Sequence, residues 1–229
     1  VQQYWIDSVL ENSLFLQTRH DLGLEAAGGA VESPWGTQIE QRGAPSQPLL
    51  EGQTLLDVFD NFGGSLLILG EPGSGKTTSM LILARLLLTR LQPDSGPLGR
   101  QPVPVVFNLS AWSPEFPRLE DWLAAQMSVQ YQIPRVDGHG MLADGTILPL
   151  LDGLDETDSA LRAHGVEAIN SFVLERNLTG VVVCCRLKEY NALPVRLALN
   201  TAVRLTELSD KQVDSDLTAA GDQLAGLRN

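Results

Sequence analysis

Apolar residues fall into two kinds of run along this chain. Short, dense runs, SLLIL (65–69), VPVVFNL (103–109), ILPLL (147–151), VVVCC (181–185) and TAVRL (201–205), predict five strands. Longer segments lie between them: Lys76 to Leu91, apolar nearly all round as buried helices are, Leu119 to Tyr131, and Ala160 to Glu175. Strand alternates with helix, which implies βαβ units, a parallel sheet and an α/β fold. Pro149 sits awkwardly in the third strand, because proline removes a ladder donor. A missing hydrogen bond or a bulge is expected there.

The flanks read differently. Residues 1–50 begin with a helical pattern, YWIDSVLENSLFL, and run into a Gly- and Pro-rich stretch, so they are expected to form an extension packed beside the sheet. The core spans 51–208, with a proline and glycine loop from Gln92 to Pro104. In residues 209–229, SDKQ spaces serine and glutamine as a capping box does, opening the first helix of a further, truncated subdomain. The chain starts at Val1, as a piece of a longer protein would.

Composition narrows the function classes. With 229 residues and 43% hydrophobic content, the chain can bury one sizeable core. A formal charge of −12 argues against a broad nucleic-acid surface, where lysine and arginine must neutralise phosphates. Any phosphate is bound locally. No apolar run approaches the roughly 18–20 residues that span a bilayer, so no membrane partner is expected. Cys184 and Cys185 are neighbours within a strand and badly placed to bridge each other, which fits a reducing, cytoplasmic setting. His20, His139 and His164 have no ligand-like spacing, and Trp112 and Trp122 read as packing residues.

The chemistry concentrates in three places. GEPGSGKTT, from Gly70 through Glu71, Pro72, Gly73, Ser74, Gly75, Lys76 and Thr77 to Thr78, fits the P-loop pattern and lies where its mechanism requires, after a strand and opening a helix. Glycines let backbone N–H groups turn toward phosphates, and the helix N-terminus adds partial positive charge. Lys76 would reach the β- and γ-phosphates, and Thr77 would hold Mg²⁺. In LLDGLDET, Asp152 ends a strand, where an open α/β sheet places ligand chemistry, and is the second candidate for the metal. Asp155 and Glu156 are candidates for orienting or deprotonating the attacking water. Arg186 follows the fourth strand and is placed to touch a γ-phosphate.

GEPGSGKTT, VPVVFNLSAW with EDWLAAQ after it, LLDGLDET and VVVCCRLKEY occur in an order and spacing that resemble the NACHT-type NTPases of the STAND class of signalling ATPases, across about residues 51–208. Gly153 followed by the acidic pair looks like that group's form of the Walker B motif. YWIDSVLENSL also resembles the lead-in of bacterial members. The resemblance implies a P-loop three-layer sandwich with a mainly parallel five-stranded sheet, binding of ATP and ADP with Mg²⁺, and a sensor role for Arg186. It also implies a slow ATPase that switches between an ADP-bound closed state and an ATP-bound state that assembles. Partners would be further domains of the same protein and copies of itself, with this chain alone a monomer. The helical domain with a Gly-x-Pro motif and the winged-helix domain that normally close the family's pocket do not follow Ser209.

Other readings stay open at this level. A P-loop kinase would need an arginine-rich lid, and the loop from Gln92 to Pro104 supplies only Arg100. A motor would supply an arginine to its neighbour, and a nucleotide-stabilised interaction module would not need the three acids. A GTPase is disfavoured because neither Asp-x-x-Gly at Asp152 nor Asn-Lys-x-Asp is present, which leaves adenine preferred. The segment VESPW (31–35) is a candidate for contacting the base.

Overall fold

Burial runs almost without a break along Ser65–Gly70, Ile147–Asp152 and Val181–Arg186, so both faces of the sheet are covered. The computed structural model describes residues 24–26, 47–48, 54–91, 101–176 and 180–205. In chain order these form β1 (Leu24–Ala26), β2 (Gln47–Pro48), α1 (Leu55–Asn61), β3 (Ser65–Gly70), α2 (Lys76–Arg90) and β4 (Val103–Asn108). There follow α3 (Leu119–Tyr131), α4 (Arg135–Ala143), β5 (Ile147–Asp152), α5 (Arg162–Arg176), β6 (Val181–Arg186), α6 (Leu187–Asn191) and β7 (Thr201–Leu205). The expected N-terminal helix, VESPW, most of the loop after α2 and the segment opening at Ser209 lie outside the described residues.

The five expected strands are β3 to β7, and they pair in parallel in the order β7-β3-β6-β5-β4. The α/β reading of the sequence therefore holds. Two pieces of the 1–50 segment go further than packing beside the sheet. β1 pairs antiparallel with β7 and β2 pairs antiparallel with β1, so among the described residues the sheet has seven strands. The backbone groups along that edge of β7 thereby find partners.

Leu66, Ile68, Val106, Leu148, Leu150, Val182, Cys184, Val203 and Leu205 face one way, against Val58 and Phe59 of α1 and Met80, Leu81, Leu83, Ala84 and Leu87 of α2. Leu67, Leu69, Phe107, Leu151, Val183 and Cys185 face the other way, against Trp122 and Leu123 of α3, Val166 and Ile169 of α5, and Tyr190 of α6. Helices on both faces explain why the strands read as continuous apolar runs instead of alternating ones. Trp122 is fully buried and its indole N–H donates to Ala111 O at 3.2 Å, in keeping with a packing role.

Pro149 takes its place in register opposite Val105 of β4, where pairing runs from Val103↔Ile147 to Asn108↔Asp152. Register with β6 is confined to Leu150 and Leu151, the two residues after the proline. Register with β4 is unbroken through the proline, so no bulge forms in that pairing, and the ladder lacks the donor that proline cannot supply. Three short helices escape the hydrophobic pattern. α1 starts with a capping box between Thr54 and Asp57. α4 contains Gly138 and Gly140, poor helix formers, yet forms because Gly138 lets it approach α3, where an added Cβ would lie 3.4 Å from Ala124 Cα. α6 spans only five residues after β6.

Candidate functional site

The strand order sets the site. β3 leads by crossover to β4 at the far edge, and β5 and β6 then fill the space back toward β3. Where chain connections part in this way, the carboxyl ends of the strands open a crevice. Gly70, Asp152 and Arg186 are the last residues of β3, β5 and β6. Pro72, Gly73, Gly75, Lys76, Thr77, Thr78, Asp152, Gly153, Asp155, Glu156 and Arg186 line one cleft there, about 310 Å³ in volume.

The turn from β3 into α2 is built by backbone. Gly75 caps the helix with a φ of 85°, in the left-handed region that a side chain resists, and offers no side-chain acceptor to the first turn. The first helical bond runs from Ser79 N–H to Gly75 O at 2.8 Å. The N–H groups of Lys76, Thr77 and Thr78 precede it and have no acceptor within the helix. A Cβ placed on Gly73 or Gly75 would meet no atom within 4 Å, so space lies open beside the bare backbone. On Gly70, by contrast, it would collide with Ser74 Oγ. That hydroxyl is buried and without a hydrogen-bond partner, and Lys76 Nζ donates to Gly70 O at 3.1 Å and Glu71 O at 2.8 Å. Unpaired donors, an orphaned hydroxyl and an ammonium at one helix N-terminus fit an anion, and a polyphosphate in particular.

The metal candidates meet. Thr77 Oγ1 donates to Asp152 Oδ2 at 2.8 Å, across 75 residues of chain. Burial, then the nearby Asp155 charge, hold the Asp152 carboxyl above the usual carboxylate range, against the opposing hydrogen bond from Thr77. A half-buried carboxylate beside a threonine hydroxyl is an oxygen donor set suited to a hard divalent cation, which would relieve that cost.

The acidic turn after β5 is held by side chains. Gly153 has a φ of 77°, and a Cβ there would come within 3.1 Å of Glu156 Oε2, so the small residue leaves room for the glutamate to fold over the turn. Leu154–Glu156 form a 3-10 turn. Asp155 Oδ1 accepts the Arg186 backbone N–H at 2.9 Å, and Oδ2 pairs with Arg186 Nε at 2.7 Å. Arg162, at the start of α5, donates from Nη2 to Asp155 O at 2.7 Å and Thr157 O at 3.1 Å. Sequence reasoning missed Arg162 because an arginine opening a helix gives no signal of what it reaches.

The phosphate, metal and catalytic candidates expected from the sequence thus lie at one end of the sheet, but the acids divide. Asp152 meets Thr77, Asp155 is taken up by Arg186, and Glu156 is exposed along the cleft. His139 stands apart on α4, 3.5 Å from Asp121, and beside it Arg118 pairs with Glu120. Among the described residues no helix is long and apolar enough to cross a membrane. No protein-family model matches this chain, and no curated protein does either.

Proposed function

We propose that this chain is the nucleotide-binding domain of a signalling ATPase of NACHT type, binding ATP and ADP with Mg²⁺ and hydrolysing ATP slowly. The observation that carries the reading is the Thr77–Asp152 hydrogen bond of 2.8 Å, which joins the P-loop helix to the end of β5 with Arg186 on the strand between. Two motifs far apart in sequence meet where a nucleotide's phosphates would need both.

In this reading the N–H groups of Lys76, Thr77 and Thr78 and the Lys76 ammonium bind the β- and γ-phosphates. The ammonium must then exchange its bonds to Gly70 O and Glu71 O for phosphate oxygens. Thr77 and Asp152 would hold Mg²⁺, which, when bound, would supply charge neutralisation on the phosphates. Glu156 takes the proton of the attacking water. Arg186 brings positive charge to the γ-phosphate. The wider protein would close this cleft with further domains and assemble in the ATP-bound state, working in the cytoplasm.

The test is direct. Calorimetric titration with ATP and ADP, with and without Mg²⁺, is expected to show binding of both, tighter with the cation, and ATP should release phosphate slowly. GTP should bind more weakly than ATP. Absence of binding to either adenine nucleotide overturns the proposal, and turnover fast enough to be an output in itself favours the motor or kinase reading.

A further inference from the structure

Asp155 and Glu156 are adjacent acids on one short turn, and chemistry alone would let either act on water. Their surroundings differ. The Asp155 side chain is only 5% exposed, and both of its oxygens are engaged by a single residue, Oδ1 by the Arg186 backbone N–H at 2.9 Å and Oδ2 by Arg186 Nε at 2.7 Å. Its own carbonyl is fixed from the other side by Arg162 Nη2 at 2.7 Å. Glu156 has no such partner among the described residues and stands exposed along the cleft.

We infer that Asp155 is a positioning residue: it brackets Arg186 and aims the outer edge of the guanidinium into the cleft, so that discrimination between a triphosphate and a diphosphate runs through Asp155. The inference rests on the nucleotide reading above. A guanidinium is a planar fork, and holding it by Nε fixes the plane while leaving the Nη groups for a second anion. The backbone bond matters as much, because it fixes the arginine's Cα at the end of β6, so that the side chain starts from one place and leaves in one direction. Arg186 is 41% exposed where Asp155 is buried, so the pair has a closed back and an open front. An arginine left to itself at a strand end would sample many rotamers, and ordering it would weaken any phosphate contact. With the bracket, that ordering is already present before ligand arrives.

The roles can be separated by affinities, which a merely structural Asp155 would not change selectively. Binding of ADP and of the non-hydrolysable β,γ-imido analogue of ATP, both with Mg²⁺, is measured by calorimetry. The proteins are the unaltered chain, Asp155→Ala, Asp155→Asn, Arg186→Ala and the double variant Asp155→Ala with Arg186→Ala. Asp155→Asn keeps the shape and one acceptor oxygen, which guards against loss of the fold. Arg186→Ala and Asp155→Ala are each expected to weaken the triphosphate analogue about ten-fold, the scale of one charge-assisted hydrogen bond, and to leave ADP unchanged. Asp155→Asn should give a smaller loss in the same direction. The double variant should be no weaker than Arg186→Ala alone, since the aspartate acts only through the arginine.

Additive losses in the double variant overturn the inference, as do equal losses for both nucleotides in Asp155→Asn. So does an Asp155→Asn chain that keeps its affinity ratio but loses hydrolysis, because the aspartate would then act on water. In each of these outcomes the unaltered chain still binds nucleotide, so the bracket falls alone. If the unaltered chain binds neither nucleotide, the nucleotide reading falls and the bracket with it.

Discussion

Two turns meet at the cleft and are made in opposite ways. The turn from Gly70 to Thr78 is shaped by backbone, with a left-handed glycine as helix cap and donors left bare. The turn from Gly153 to Thr157 is shaped by side chains that arrive from elsewhere, Arg162 from α5 and Arg186 from β6. Backbone construction suits a ligand that must be surrounded closely, because main-chain N–H groups carry no rotamer freedom to lose. Side-chain construction suits groups that must be aimed individually, since each acid can be held or released by its own partner. Under the proposed function, the first turn would bind and the second would act on what is bound.

That contrast can be broken by experiment, beginning with the strongest effect. Glu156→Gln should slow hydrolysis by about 10²–10⁴-fold, the range of a lost general base, while ADP affinity stays unchanged. A matching fall in affinity would erase the distinction between binding and acting. Lys76→Ala should weaken both nucleotides on the order of 100-fold by calorimetry, as loss of charge-assisted bonds to phosphate implies. Retained affinity would remove the binding role from the first turn.

Next come stability effects. Gly75→Ala forces a β-carbon into the left-handed region and should cost about 1–2 kcal/mol in denaturant unfolding. Arg162→Ala strips donors from Asp155 O and Thr157 O and should cost about 1–3 kcal/mol, with nucleotide affinity affected less than by Gly75→Ala. Reversal of that order would mean that the second turn carries binding after all.

The smallest effect is a gain. With its carboxyl raised, folded Asp152 keeps its proton at a pH where the unfolded chain, at the ordinary 3.8, has released it. The folded state then binds more protons, so stability falls as pH rises from the ordinary value through the raised one. Asp152→Asn should therefore raise the unfolding midpoint of the nucleotide-free chain at neutral pH by a few degrees, at about 2–4 °C per kcal/mol for a chain of this size. It should also remove that slope with pH, and Mg²⁺ dependence of nucleotide binding should weaken. A lower midpoint would show that the Thr77–Asp152 bond outweighs the cost of burial.

The same contrast explains what was legible beforehand. Glycine spacing is dictated by local backbone geometry, so Gly70, Gly75 and Lys76 announce their turn in the sequence itself. The five parallel strands were legible for a related reason, because burial on both faces writes dense apolar runs. Pairings across the fold leave no such trace. Nothing in GLDET tells that Asp155 will meet Arg186 while its neighbour Glu156 faces the cleft, since that follows from β5 and β6 lying side by side. β1 and β2 were missed because strands of two or three residues carry no period. α4 was missed because its glycines serve contact with α3 and weaken the local helix signal.

The two cysteines at the end of β6 give the molecule a clock of its own. Cys184 lies under α2, with Sγ 3.7 Å from Met80 Sδ, and Cys185 points into the opposite layer. Burial pushes the Cys185 thiol up to about 12 and the Cys184 thiol well above its ordinary value. Neither should react with an alkylating reagent while the layers are shut, because the thiolate is the nucleophile and both sulfurs are buried. Modification must wait for an opening, and the rate at which each sulfur is captured measures how often its own side of the sheet lifts away. Peptide mapping tells the neighbours apart, so the natural sequence times the motions of both layers beneath the cleft without any introduced label.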